Sequence, residues 1–142
     1  MFSRSAEYAI RAMTFLALQP AGKLTGAREI AQAENIPMQF LWKILQNLAR
    51  RKLVRSFKGV RGGYELARPG ARISVEDVVR AADESSIAQG CVLGLASCSE
   101  QTPCPLHHTW KVIREQIVHM LEQTTIAELA RVATQNRQRP QS

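Results

Sequence analysis

Apolar positions recur with a helical period along most of the chain and switch to strict alternation only once. Ala6, Ile10, Met13 and Ala17 are spaced for one face of a helix over residues 3–18. Gln19-Pro20-Ala21-Gly22 ends it, because proline and glycine interrupt helices. Thr25 stands where a cap is expected for a second helix running to about Glu34, with Ile30 and Ala33 on its apolar side. Asn35-Ile36 makes a short turn, and Pro37 suits the first turn of a third helix reaching Arg51. There Leu41, Ile44, Leu45 and Leu48 form a stripe at i, i+3, i+4, i+7, while Gln39, Trp42, Lys43, Gln46 and Arg50 take the opposite face.

The alternation comes next. Leu53 to Phe57 and Tyr64 to Ala67 read as two short strands around Lys58-Gly59-Val60-Arg61-Gly62-Gly63, a β-hairpin with a basic tip closed by Pro69-Gly70. Ser74 to Ala82 is a fourth helix, opened by the cap-like run Ser74-Val75-Glu76-Asp77. Residues 85–104 keep no period and read as a loop, and a loop of that length inside a compact domain usually has a function. A long helix follows from about Pro105 to Gln123, with Trp110, Ile113, Ile117, Met120 and Leu121 along one face that a second copy of the chain would cover. A last short helix spans Thr125 to Ala133, and the polar tail 134–142 reads as disordered.

A short helix, a tight turn and a polar-faced helix leading into a basic hairpin form the winged helix-turn-helix pattern. The expected fold is therefore mostly α with a small β-hairpin wing, plus a long dimerisation helix. Residues 1–133 make one DNA-binding and dimerisation domain that contains a loop at 88–108.

Charge supports this reading. Between Lys43 and Arg72 lie nine basic residues against Glu65 alone, so this stretch carries +8 while the other 112 residues sum to −1. A basic block in an otherwise near-neutral chain is the footprint of a phosphate-binding face. Double-stranded DNA is the expected partner. Gln39 and Lys43 are placed to read adenine and guanine, and Trp42 to pack on a thymine methyl, a sugar or the wing. Lys58 and Arg61 at the wing tip suit phosphates or the minor groove. Arg50, Arg51 and Arg55 suit neutralisation of backbone charge.

The remaining signal is chemical. All three cysteines, Cys91, Cys98 and Cys104, fall in one window, followed by Pro105-Leu106-His107-His108. Thiolates and imidazoles crowded into an irregular segment suit iron–sulfur ligation or zinc. Three clustered thiols argue against a disulfide framework and fit a reducing cytoplasm. No apolar run is long enough to span a membrane. Glu7 and Arg11 interrupt the one N-terminal stretch that loosely resembles a signal peptide. A glycine-rich phosphate loop on a strand, an HExxH and a CxxC pair are all missing from the sequence, so neither an enzyme nor a small-molecule substrate is expected.

These features together resemble the Rrf-two family of winged-helix iron–sulfur regulators, of the IscR and NsrR type. The resemblance runs from Ser3 to about Ala133. It is carried by Glu7-Tyr8-Ala9-Ile10-Arg11-Ala12-Met13, by Leu53-Val54-Arg55-Ser56 with Gly62-Gly63-Tyr64-Glu65-Leu66-Ala67-Arg68-Pro69, and by the cysteine window with Trp110. It implies a homodimer that binds palindromic promoter sites, often as a repressor, under control of a cluster sensing iron, nitric oxide, oxygen or redox state. Cys91, Cys98 and Cys104 would be ligands, with His107 as the fourth and a 2Fe–2S cluster. The rival fourth ligand is Glu7 from the other subunit, which goes with a 4Fe–4S cluster. The family pattern has five residues between its first two cysteines and this chain has six, Val92 to Ser97, an insertion a loop absorbs easily. A zinc-stabilised or thiol-based redox sensor without a cluster is the alternative.

Overall fold

The computed structural model describes residues 2–83 and 105–138. Six helices and one hairpin are described: α1 Arg4–Leu18, α2 Ala27–Glu34, α3 Met38–Arg50, β1 Val54–Phe57, β2 Gly63–Leu66, a 3-10 turn Gly70–Arg72, α4 Val75–Ala82, α5 His107–Gln123 and α6 Ile126–Gln138. This is the winged helix-turn-helix that the pattern predicts. Cys91, Cys98 and Cys104 lie outside the described residues, as do residues 88–104 of the expected loop and 139–142 of the expected tail.

α1 is the central helix. Ser3 caps it, accepting a hydrogen bond from the Ala6 amide at 3.0 Å, and Ala6, Ala9, Ala12, Met13, Phe15 and Leu16 are buried along it. Small residues on this face let α3, α4 and α6 approach closely. The α3 stripe of Leu41, Ile44, Leu45 and Leu48 is buried as expected, in one cluster with Met13, Ile30, Leu53, Val54, Ile73, Val78 and Ile126. At α4 a reciprocal cap forms: the Asp77 amide donates to Ser74 Oγ and the Ser74 amide donates to Asp77 Oδ2, each at 3.0 Å.

Three expectations change. Thr25 does not cap α2, whose N-cap is Gly26. Thr25 is instead fully buried and exchanges backbone hydrogen bonds with Tyr64 at 2.8 and 3.0 Å, adding a one-residue third strand to the wing. Gly63 permits this approach, since it sits at φ +154° and a Cβ there would lie 2.8 Å from the Thr25 backbone. On α2, Ala27 and Ala31 rather than Ala33 join Ile30 inside. Finally, α6 continues to Gln138 instead of ending at Ala133. The polar residues after Ala133 include no proline or glycine before that point, and glutamine and arginine are good helix formers.

Candidate nucleic-acid interface and ligand window

The helix-turn-helix is set by α2, the turn at Asn35-Ile36 and α3. Asn35 adopts the left-handed conformation at φ +53°, which asparagine tolerates better than most residues, and its amide donates to Ala31 O. Ile36 is buried, fixing the angle between the two helices. Gln39, Lys43, Gln46 and Arg50, spaced four, three and four apart, are exposed on the side of α3 away from the buried stripe. Trp42 is 50% exposed beside them, an apolar side chain open to contact by a partner.

The wing pairs Val54 with Leu66, Arg55 with Glu65, Ser56 with Tyr64 and Phe57 with Gly63. Lys58 and Arg61 are exposed at its tip, as expected. Arg55 is exposed too, and is held 3.5 Å from its cross-strand partner Glu65. Arg51 is exposed at the other end of α3 from Gln39, twelve residues along and so about 18 Å away on a helix rising 1.5 Å per residue.

Several contacts were not singled out from sequence. Val60 is fully exposed between Lys58 and Arg61, and Phe57 is half exposed, giving the wing an apolar tip of the kind that enters a minor groove. Arg28 and Gln32 of α2 line a cleft of about 500 Å³ with Asn35 and Met38, beside α3. An arginine isolated in sequence on a helix outside the basic block gave no signal. Neither did an apolar residue in a turn.

The described residues stop at Asp83 after α4 and resume at Pro105, just before α5. Asp83 is pinned by the Ser3 hydroxyl, which lies 2.6–2.7 Å from both carboxylate oxygens. His107, the first residue of α5, is only 2% exposed, with its ring edge-on to His108 at 5.2 Å between centroids. His108 is exposed. A buried imidazole three residues after Cys104 fits a ligand role, and His108 does not share that burial. Glu7 is exposed on the first turn of α1, accessible to a second subunit. Among the described residues no group of three or more His, Cys, Asp or Glu is placed to hold a metal. The fit of a cluster therefore rests on the donor set: three thiols in one window and a buried imidazole at its end.

Among the described residues, α5 packs on the rest of the chain along one edge. Ile117 and the 3%-exposed Leu121 pack with Val75 and Val79 of α4 and Ala6 of α1. This corrects the expectation for Leu121: it belongs to the core of the protomer and is not available to a partner. The outward apolar residues are Ile113 and the 54%-exposed Met120, with Val112 and Leu106, while Trp110 is intermediate. No helix among the described residues is long and apolar enough to cross a membrane.

Comparison with known proteins agrees with this architecture. The Rrf2 family, described as iron-dependent transcriptional regulators, matches residues 2–132. A provisionally named HTH-type transcriptional regulator of Mycobacterium tuberculosis is 43% identical over 129 residues, covering 90% of this chain and 80% of the relative. The HTH-type transcriptional regulator IscR of Yersinia pestis is 32% identical over 122 residues, covering 86% and 74%. Among solved structures, CymR, the global cysteine regulator of B. subtilis, superposes with a TM-score of 0.78 at 26% identity, covering 93% of this chain and 97% of that one. With the described wing, reading helix and core in place, the chain belongs to the Rrf2 family of winged-helix transcriptional regulators and is not an enzyme.

Proposed function

We propose that this protein is a homodimeric repressor whose affinity for a palindromic promoter site is controlled by a 2Fe–2S cluster on Cys91, Cys98, Cys104 and His107. The observation that carries the reading is the burial of His107 at the start of α5, at the end of the window holding every cysteine of the chain. The IscR relative and the family's iron-dependent description support the same choice. When bound, such a cluster supplies a centre that responds to iron supply, oxidants and nitric oxide. The chain's own residues do the rest. His107 is the buried first residue of α5, and Asp83 is bonded to the Ser3 cap of α1. Gln39, Lys43 and Trp42 read bases, while Arg50, Lys58 and Arg61 neutralise phosphates. Two protomers joined along the outward face of α5 would present two half-sites about 34–36 Å apart or a multiple of that. The protein would act in the cytoplasm, where thiols stay reduced.

The decisive experiment is anaerobic purification with absorption and Mössbauer spectra, followed by DNA binding of the holo and apo forms. A protein that stays colourless after reconstitution with iron and sulfide sinks the cluster. One observation favours a second reading: a structural neighbour, CymR of Staphylococcus aureus, has been solved in an oxidised form. In a metal-free thiol sensor, peroxide treatment of the colourless protein would change DNA affinity, and Cys→Ala variants would abolish that change.

A further inference from the structure

Three arginines from separate elements line one cavity away from the reading end of the molecule. Arg51 follows α3, Arg68 follows β2 and Arg80 lies on α4, and together with Leu53, Asp77 and Ala81 they line a solvent-open cleft of about 200 Å³. Its apolar side is made by the buried Leu53 and Ala81. Two of the guanidiniums are fixed in place. Arg68 donates through Nε to the Arg72 carbonyl at 2.9 Å and through one terminal nitrogen to Asp77 Oδ2 at 3.2 Å. Arg80 donates through Nε to Oε1 of the buried Glu76 at 2.9 Å, which orients its partly exposed guanidinium. These bonds leave one terminal nitrogen of Arg68 and both terminal nitrogens of Arg80 for another acceptor. Arg51 makes no ion pair with any described residue. Counting Asp77 and Glu76, the wall keeps one net positive charge.

Held guanidinium forks are the standard recognition element for oxyanions, because the ordering cost has already been met by their carboxylate anchors. The cavity is smaller than the roughly 300 Å³ at which drug-sized sites begin. It lies at the root of the wing, where the Leu53 amide donates to Leu48 O and the Ala67 amide to Leu53 O, and not at the tip. Arg51 is also about 18 Å along α3 from Gln39. We infer that Arg51, Arg68 and Arg80 form a binding site for a small tetrahedral oxyanion, either free phosphate or the head of a small phosphomonoester. An occupant would tie together the end of the reading helix, the root of the wing and α4. This assigns Arg51 a role other than contact with the DNA backbone.

The test uses the full chain. Melting temperature is followed against inorganic phosphate and, separately, glycerol phosphate, with chloride at matched ionic strength as the reference. Phosphorus NMR line broadening measures binding directly. A saturable rise with either ligand, weakened at least tenfold in Arg51→Gln and in Arg80→Gln, supports the site, and the tighter ligand identifies the source. Arg51→Gln disturbs no anchoring bond, so it should melt with the wild type in chloride and serves if Arg80→Gln folds poorly. No effect beyond chloride, or an effect unchanged in Arg51→Gln, overturns the proposal. So does a scrambled DNA duplex that displaces phosphate and binds less tightly to Arg51→Gln, since the arginines would then face the DNA backbone.

Discussion

Ser3 and Asp83 are eighty positions apart, yet the Ser3 hydroxyl sits 2.6 Å from an Asp83 carboxylate oxygen while also accepting the Ala6 amide. One side chain thus starts α1 and anchors the residue at which the chain leaves α4 for the cysteine window. Ser3→Ala should cost about 0.5–2 kcal/mol, the usual range for losing an N-cap. Urea titration should show a lower midpoint with an unchanged slope.

Each of Cys91→Ala, Cys98→Ala and Cys104→Ala should remove the visible absorption of the anaerobically prepared protein while leaving its helical circular dichroism intact. Loss of fold in all three would argue for a structural role instead.

The fourth ligand separates by substitution. His107→Ala should shift the cluster spectrum or shorten its lifetime, and His108→Ala, at an exposed position, should not. An unchanged spectrum in His107→Ala together with a changed one in Glu7→Ala would assign the ligand to the carboxylate.

On α5 the two sides of the helix predict different failures. Ile113→Glu with Met120→Glu should give monomers by sedimentation and weaken operator binding. Leu121→Ala should instead leave a dimer of lower stability, by about 2–5 kcal/mol, because it opens a cavity inside each protomer. A wild-type monomer at micromolar concentration would refute the dimer.

For DNA, Gln39→Ala and Lys43→Ala should relax sequence preference, each good base contact being worth about 1–3 kcal/mol of discrimination. Arg50→Ala and Lys58→Ala should weaken matched and scrambled operators alike and flatten the salt dependence. Salt-titrated binding on both operators distinguishes the two groups.

Local patterning made the helices and the wing legible. The four-residue stripe on α3, the Ser74–Asp77 cap and the basic hairpin all arise from residues within about two turns or one hairpin of each other. Thr25 was not legible, because its partner Tyr64 is a distant backbone and nothing beside Thr25 announces it. Leu121 was misassigned since an apolar stripe looks the same whether it faces its own core or another chain. The far end of α6 was missed because polar composition was read as disorder. At the candidate site, the exposure of Gln39, Trp42 and Lys43 followed from helix periodicity, whereas Val60, Phe57 and Arg28 became visible only as exposed surface.

The position of α6 has a consequence for how the protein is made and destroyed. Ile126 is fully buried in the same cluster as Leu41 and Leu45 of the reading helix, and its amide donates to the Ile73 carbonyl at 2.9 Å. A nascent chain therefore cannot finish its DNA-binding half until the segment carrying Ile126 has left the ribosome. A protease cutting between α4 and α5 would leave the DNA-binding half without part of its core unless α6 stayed docked. Translation stalled before this helix leaves the core short of Ile126 and the Ile73 carbonyl without its partner.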